Sequence, residues 1–474
     1  MSFAGSINLN LFPVRIITPV AAGIVCLYVS IRLLRRPKYQ IPTDEPTQHG
    51  SSITLNHLID PTIRAHHPDF NSSLIEKYPD HDAVQVDGLV GGYPVYIIHK
   101  YERVMEALSN HAMLASNPWP ENRSLVTLNT MGKIDHDRVY RIIKKFYTPG
   151  TIAQIKDSIS GLVAEHGRVL RNDGDVVKFA KRLHMHVSLM TSGLLHGLSV
   201  DDPRIDQFVL WNDIAVRLTA PLGGIGKRPN MSVTSCMRML KGMSKSICGV
   251  LALISRIGVL QAWKLLSPIE AIFPSAPYSP TWEYPELLRE IPEYFNTLYD
   301  LMASSDTNTA AGALFSNIGT GLTASEALAT AVQLMVNMTT ANSIMSLIYN
   351  RISDPSISCE TVLAMDAPLQ RNPRRAVVDV NVGKTKIPKG SIILLMIGAA
   401  NLGCPEGKTP ATFGFGLHQC IGRHLVNEEL ECVSEWLMEL ASTTAMSVKP
   451  GMKRLVDIDV GNWGFSKLEV SFSP

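Results

Sequence analysis

Residues 413–422 read Phe413-Gly-Phe-Gly416-Leu-His418-Gln-Cys420-Ile-Gly422, and no other stretch restricts the fold as much. The spacing is F-x-x-G-x-x-x-C-x-G, four fixed positions that average residue usage would supply in about one window in 10⁵. A helix-forming run, Arg423 to Leu440, follows directly. The chain must therefore present Cys420 near a helix N-terminus, on a loop whose glycines let the backbone pass close to a flat ligand. That setting favours a thiolate, and such a thiolate can ligate haem iron. The competing reading makes Cys420 a buried structural thiol.

The rest of the chain has the makings of one large body. With 474 residues, 45% of them hydrophobic, it can bury an extensive core, and no linker, repeat or low-complexity tract divides it. The net charge is only +2 and no basic stripe carries interleaved aromatics, which argues against nucleic acid as a partner. Seven cysteines form no C-x-x-C pair and no zinc spacing, as expected of reduced thiols. Apolar residues at helical spacing predict helices over 153–170, 175–195, 234–266 and 324–352. Alternation predicts short strands over 83–86, 95–98, 392–396 and 468–472. Six prolines between Pro268 and Pro292 mark a connector between helices. The expected class is mainly α with small sheets.

The N-terminus has a different character. Ile16 to Leu34 is a 19-residue apolar run broken only by Arg32 near its end, about the length of a membrane-crossing helix. Arg35-Arg36-Pro37-Lys38 follows it, so the positive-inside rule places the body in the cytosol. A cleaved signal peptide is the competing reading, and no small-residue cleavage site follows the run. The expected organisation is an anchor over 1–35, spanning at about 16–34, and a catalytic body over 36–474.

Further segments extend the pattern in order. They are Tyr93-Pro-Val-Tyr-Ile-Ile with Tyr101-Glu-Arg-Val-Met-Glu-Ala-Leu, His136-Asp-Arg-Val-Tyr-Arg141 through Pro149, Thr339-Thr-Ala-Asn342, and Asp366-Ala-Pro-Leu-Gln. Arg374-Arg-Ala, Ile387-Pro-Lys-Gly and Gly398-Ala-Ala-Asn401 follow. With the cysteine loop, this series resembles the cytochromes P450, the haem-thiolate monooxygenases, over most of the chain. The resemblance implies the cytochrome P450 fold behind a transmembrane helix and a haem b whose iron takes Cys420 as axial ligand. It also implies propionates that need buried cations or donors. His418, Arg374 and His136 match positions used for that task, Phe413, Gly416 and Gly422 match the loop, and Thr339 matches the catalytic threonine whose hydroxyl positions dioxygen. Other readings of these residues stay open. Arg374 could be a surface charge beside Arg375, His136 a solvated residue between Asp135 and Asp137, and Thr339 a hydroxyl turned back on its own helix.

The chain also departs from the family pattern. Tyr140 stands where the helix of His136 would carry an arginine, with Arg141 next door. In the oxygen-binding helix Val336 replaces the glycine that opens a notch and Met338 replaces the acid that relays protons. The E-x-x-R positions hold Thr361 and Ala364, Glu360 has Leu363 three residues on, and the segment that supplies the third member of that ion-pair network is cut to Leu402 through Pro410. The support of the cysteine loop is thus rebuilt or lost.

Two functions follow. One is a monooxygenase that takes electrons from an NADPH-dependent cytochrome P450 reductase and oxidises a hydrophobic small molecule, of terpenoid or polyketide type. The family analogy sets it in fungal secondary metabolism, single-pass in the endoplasmic reticulum membrane with the body in the cytosol. The other is a scaffold that no longer activates oxygen and acts as an isomerase, cyclase or dehydratase, or as a non-catalytic haem-binding partner. The pocket is expected between the 111–130 loop, Leu334 to Met338, and Leu369-Gln370.

Overall fold

The structure is a computed structural model that describes residues 67–90, 93–116, 128, 130–219, 248–266, 287–335, 337–457 and 462–473. Helices dominate it. His67–Lys77 and Tyr101–Ser109 flank the first strands. Lys133–Ile143, Lys156–Asp173, Val176–Ser192 and Pro203–Thr219 come next, then Leu287–Ser304, Ala310–Ser316, Ala324–Leu334 and Asn337–Ser353. Cys359–Met365, Ile397–Leu402 and Arg423–Ala441 complete the set around the cysteine loop.

The strands are β1 (Val84–Val90), β2 (Tyr93–Ile98), β3 (Leu114–Ala115), β4 (Asn372–Ala376), β5 (Val380–Val382), β6 (Thr385–Ile387) and β7 (Ile392–Leu395). β8 (Ala445–Val448), β9 (Lys453–Asp457), β10 (Asn462–Lys467) and β11 (Val470–Ser473) end the chain. Five of them form one sheet in the order β1-β2-β7-β4-β3, with β2 and β7 parallel. The apolar runs of β2 and β7 follow from burial on both faces. Tyr96, Ile98, Ile393 and Leu395 pack to one side, and Val95, Ile97, Ile392 and Leu394 to the other. In β4 the period of two sends Arg374 and Arg375 to opposite faces, and Arg375 lies over the Tyr93 ring at 5.2 Å.

Three expected helices are interrupted. The 153–170 helix is two pieces, Pro149–Ala153 and Lys156–Asp173, because Ile155 (φ −106°, ψ 6°) leaves helical geometry. In the 234–266 helix residues 234–247 lie outside the described set, and Gly258 (φ 79°) adopts a left-handed conformation that separates residues 248–257 from Val259–Leu266. The 324–352 helix ends at Leu334 and restarts at Asn337. Met335 (φ −104°, ψ 10°) caps the first piece, and its N–H closes a tight turn on the Val332 carbonyl at 3.1 Å. Most of the expected 268–292 connector lies outside the described residues, although Pro292 sits inside the helix Leu287–Ser304.

The expectation of a single-pass protein of the endoplasmic reticulum membrane is corrected. The span expected at 16–34 lies outside the described residues, and no helix among the described residues is long and apolar enough to cross a membrane. The longest, Arg423–Ala441, carries Arg423, Glu428, Glu429, Glu431, Glu435 and Glu439 along its length.

Candidate haem site

The cysteine loop is short and tied at both ends. Ala411–Phe413 form a 3-10 turn, and the Cys420 N–H returns to the Phe413 carbonyl at 2.8 Å. Gly416 (φ +72°) lays the loop on the end of the helix Tyr101–Ser109, where a Cβ would stand 3.2 Å from the Leu108 carbonyl oxygen and the Ser109 Cα. Gly422 serves differently. It caps the helix Arg423–Ala441 with ordinary backbone angles, and a Cβ there would meet only Cys420 Sγ, at 3.9 Å, so its missing side chain leaves room beside the sulfur. Phe413 is half-buried against the main core.

Cys420 carries exposed surface, while protein atoms crowd around its side chain. Burial raises its pKa, while the N–H groups of Gly422 and Arg423 and the Arg423 charge pull the other way without prevailing. In the chain by itself burial thus outweighs the helix terminus at this thiol. A bound metal ion would deprotonate it.

Around this loop the structure gathers an unbalanced set of polar groups. Arg374 is only 3% exposed, and its Nη1 donates to Asn372 Oδ1 at 2.5 Å and to the Pro373 carbonyl at 2.9 Å. No carboxylate pairs with it among the described residues, and burial lowers its pKa to about 10. His418 is pushed down to about 3, first by burial and then by the charges of Arg374 and His136. Its Nδ1 has no partner. His136 is also 3% exposed; its ring meets that of His418 edge-on at 5.0 Å, and its Nδ1 approaches Asp137 only at 3.5 Å, without hydrogen-bond geometry. Burial lowers its pKa too. Neither Arg374 nor His136 is thus a surface group.

A buried cation without an anion, beside two imidazole nitrogens without partners, costs stability unless something negative completes it. The carboxylates of a haem would do so. With Cys420 Sγ nearby in the chain and open space at Gly422, the residues present fit a haem.

The other helix charges turn away. Arg141 Nε donates to its own helix at the Asp137 carbonyl, 3.1 Å, and Arg138 pairs with Glu326 at 2.6 Å. Tyr140 stacks on His136 with ring centroids 5.4 Å apart. Thr339 lies in the first turn of the second half of the interrupted helix, Asn337–Ser353. It is half-buried, its carbonyl accepts from the Ser343 hydroxyl at 3.1 Å, and its own hydroxyl has no partner among the described residues. Val336 and the side chain of Met338 lie outside those residues. The same holds for 117–127 and 129 of the expected pocket loop.

Several buried or partly buried pairings were not foreseen. Glu429, fully buried in the helix behind Cys420, accepts from His184 at 2.9 Å, and His184 Nε2 meets the Ser188 hydroxyl at 3.2 Å. Asp366 receives Arg454 at 3.0 Å and the Trp463 indole N–H. Glu429 is one of five glutamates in its helix and nothing in the sequence sets it apart; its partner lies 245 residues away.

No family model matches the chain. Over 126 residues, 23% of this chain, it is 32% identical to the protein named cytochrome P450 133B1 in Xylella fastidiosa (strain 9a5c). Over 113 residues, 21% of this chain, it is 32% identical to pentalenolactone synthase of Streptomyces exfoliatus. These matches span 29% and 28% of the relatives' own lengths. Solved structures resemble the whole body. CxnD, a cytochrome P450 enzyme for C–S bond formation in chuangxinmycin biosynthesis, superposes with a TM-score of 0.65 at 16% identity, over 90% of this chain and 98% of that one. PksS, the cytochrome P450 of the Bacillus subtilis bacillaene polyketide synthase, gives 0.61 at 17% identity, over 88% and 100%. The chain has the cytochrome P450 fold, a helical body with small sheets. The partial sequence matches and the fold together support the cytochrome P450 family.

Proposed function

We propose that the chain is a haem-thiolate monooxygenase that oxidises a hydrophobic small molecule, of polyketide or terpenoid type, in secondary metabolism. The observation that carries the reading is the unbalanced set Arg374, His418 and His136 beside a loop that ends in Cys420. Cys420 Sγ would ligate the iron of haem b, and Arg374 with His418 and His136 would take its propionates. When bound, the haem supplies dioxygen activation, with electrons from an NADPH-dependent reductase.

The chain's own residues then have two tasks. Leu334 and Met335, beside the interruption, are packed in the main apolar core and keep water from that part of the helix. The helix piece that ends at Leu334 and the piece that starts at Asn337 flank the position where the family pattern carries a glycine. The hydroxyl of Thr339 can hold and pass a proton at Oγ1. The similarity to pentalenolactone synthase and to PksS supports a secondary-metabolite substrate.

The test is the spectrum of the reduced protein under carbon monoxide. Wild type should show the red-shifted band of thiolate-ligated haem, and Cys420→Ala should abolish that band while leaving far-UV circular dichroism unchanged. The same band in both proteins would end the assignment.

A further inference from the structure

The positions that should carry a buried ion pair under the cysteine loop hold Thr361 and Ala364, which cannot form one. Neutral groups occupy the junction instead. Asn401, buried in the helix Ile397–Leu402, donates from Nδ2 to Thr412 Oγ1 at 2.7 Å, and its Oδ1 accepts the Ala411 N–H at 2.7 Å. Thr412 Oγ1 donates in turn to the Leu363 carbonyl at 2.8 Å, in the helix Cys359–Met365. The hydroxyl has one proton, committed to Leu363, so Asn401 must approach it with its amine. That fixes the amide with its oxygen toward Ala411. Two helices are thereby pinned to the turn Ala411–Phe413, and the Phe413 carbonyl passes the constraint to the Cys420 N–H at 2.8 Å.

The short helix Cys359–Met365 would be marginal alone. Asp366, at its C-terminal end, fastens it to the C-terminal hairpin through Arg454, whose guanidinium lies 4.1 Å from the centre of the Phe465 ring.

We propose that Asn401 and Thr412 are positioning residues, a neutral hydrogen-bonded clamp that holds Cys420 at the height required for iron ligation in place of an ion-pair network. The proposal rests on the haem-thiolate reading. A clamp of amide, hydroxyl and carbonyl avoids burying charge, and each of its members is satisfied, so removing one group leaves the others buried without partners.

The test uses the full chain loaded with haem. Thr412→Val keeps the shape and deletes the hydroxyl; Thr412→Ser keeps the hydroxyl. Thr412→Val should speed hydrogen exchange at the Ala411 and Cys420 amides roughly tenfold, the equivalent of one typical hydrogen bond. It should also speed the decay of the thiolate-shifted carbon monoxide band, and Thr412→Ser should restore both. Should Thr412→Val fail to fold, Asn401→Asp carries the test: it still accepts from Ala411 but cannot donate to Thr412, and should give the same changes in smaller measure. Unchanged exchange and band stability in Thr412→Val, or in Asn401→Asp where that variant carries the test, would overturn the clamp, as would a Thr412→Ser protein as impaired as Thr412→Val. A band that survives Cys420→Ala would instead overturn the haem-thiolate reading, whatever the clamp variants do.

Discussion

Burying Arg374 without a carboxylate costs the haem-free chain stability, because the guanidinium exchanges water for one amide oxygen and one backbone carbonyl. An ordinary structural arginine would not be placed so; a site for an anion would. Arg374→Met should separate these two roles, since methionine fills the volume without the charge. The haem-free protein should gain stability, on the order of 1 kcal/mol, in thermal unfolding. Haem retention should fall by about 2–5 kcal/mol, the cost of truncating one member of a buried charge pair, measured as faster transfer to apomyoglobin. Stability and retention moving down together would mean that Arg374 simply holds β4 in place. His418 and His136 differ from it in that burial lowers both pKa values and so disfavours their charged forms, which puts hydrogen bonding before charge in their share of the site.

In the proposed monooxygenase the interrupted helix would carry the oxygen chemistry, and it shows where the sequence could and could not be read. Ala324–Leu334 and Asn337–Ser353 were legible as helix because their apolar spacing is strong, but the break is a matter of backbone angle at Met335, which no periodicity records. The strands β2 and β7 were legible for the opposite reason, since burial on both faces leaves unbroken apolar runs. Cys420, Arg374 and His418 could be named from motif spacing. Asn401 and Thr412 could not, because they are common polar residues whose meaning comes only from three elements meeting. Thr339 tests the element. Its hydroxyl should be needed for product but not for substrate binding, so Thr339→Ala should cut product formation by about 10²-fold or more, raise hydrogen peroxide release and leave haem content unchanged. Product that is indifferent both to Thr339 and to removal of oxygen would favour an isomerase, cyclase or dehydratase on the same scaffold.

At the scale of the whole molecule, the main helical core is held by buried histidines as well as by apolar packing. His184 with Glu429 fastens Val176–Ser192 to the helix behind Cys420, and His166 Nε2 meets His186 Nδ1 at 3.1 Å between Lys156–Asp173 and Val176–Ser192. In the second pair one nitrogen must donate and the other accept, so the contact requires at least one neutral ring. Burial first, then the His186 and Arg182 charges, lower the His166 pKa to about 3; burial also lowers that of His186, against the partial pull of Glu165 and Asp202. In the unfolded chain each ring titrates near 6.5. Between those values the unfolded state binds the extra proton, so the stability from neutral His166 is complete above about pH 6.5 and is lost as pH falls toward 3. The slope is about 1.4 kcal/mol per pH unit for each proton involved. His166→Gln keeps a side chain able to bond His186 and removes the titrating group. Its urea-unfolding midpoints should fall less steeply than wild type between pH 6.5 and 4.5, so that the variant, equal or slightly weaker at neutral pH, becomes the more stable of the two in acid. Parallel curves across that range would show that His166 does not carry the acid sensitivity of the core.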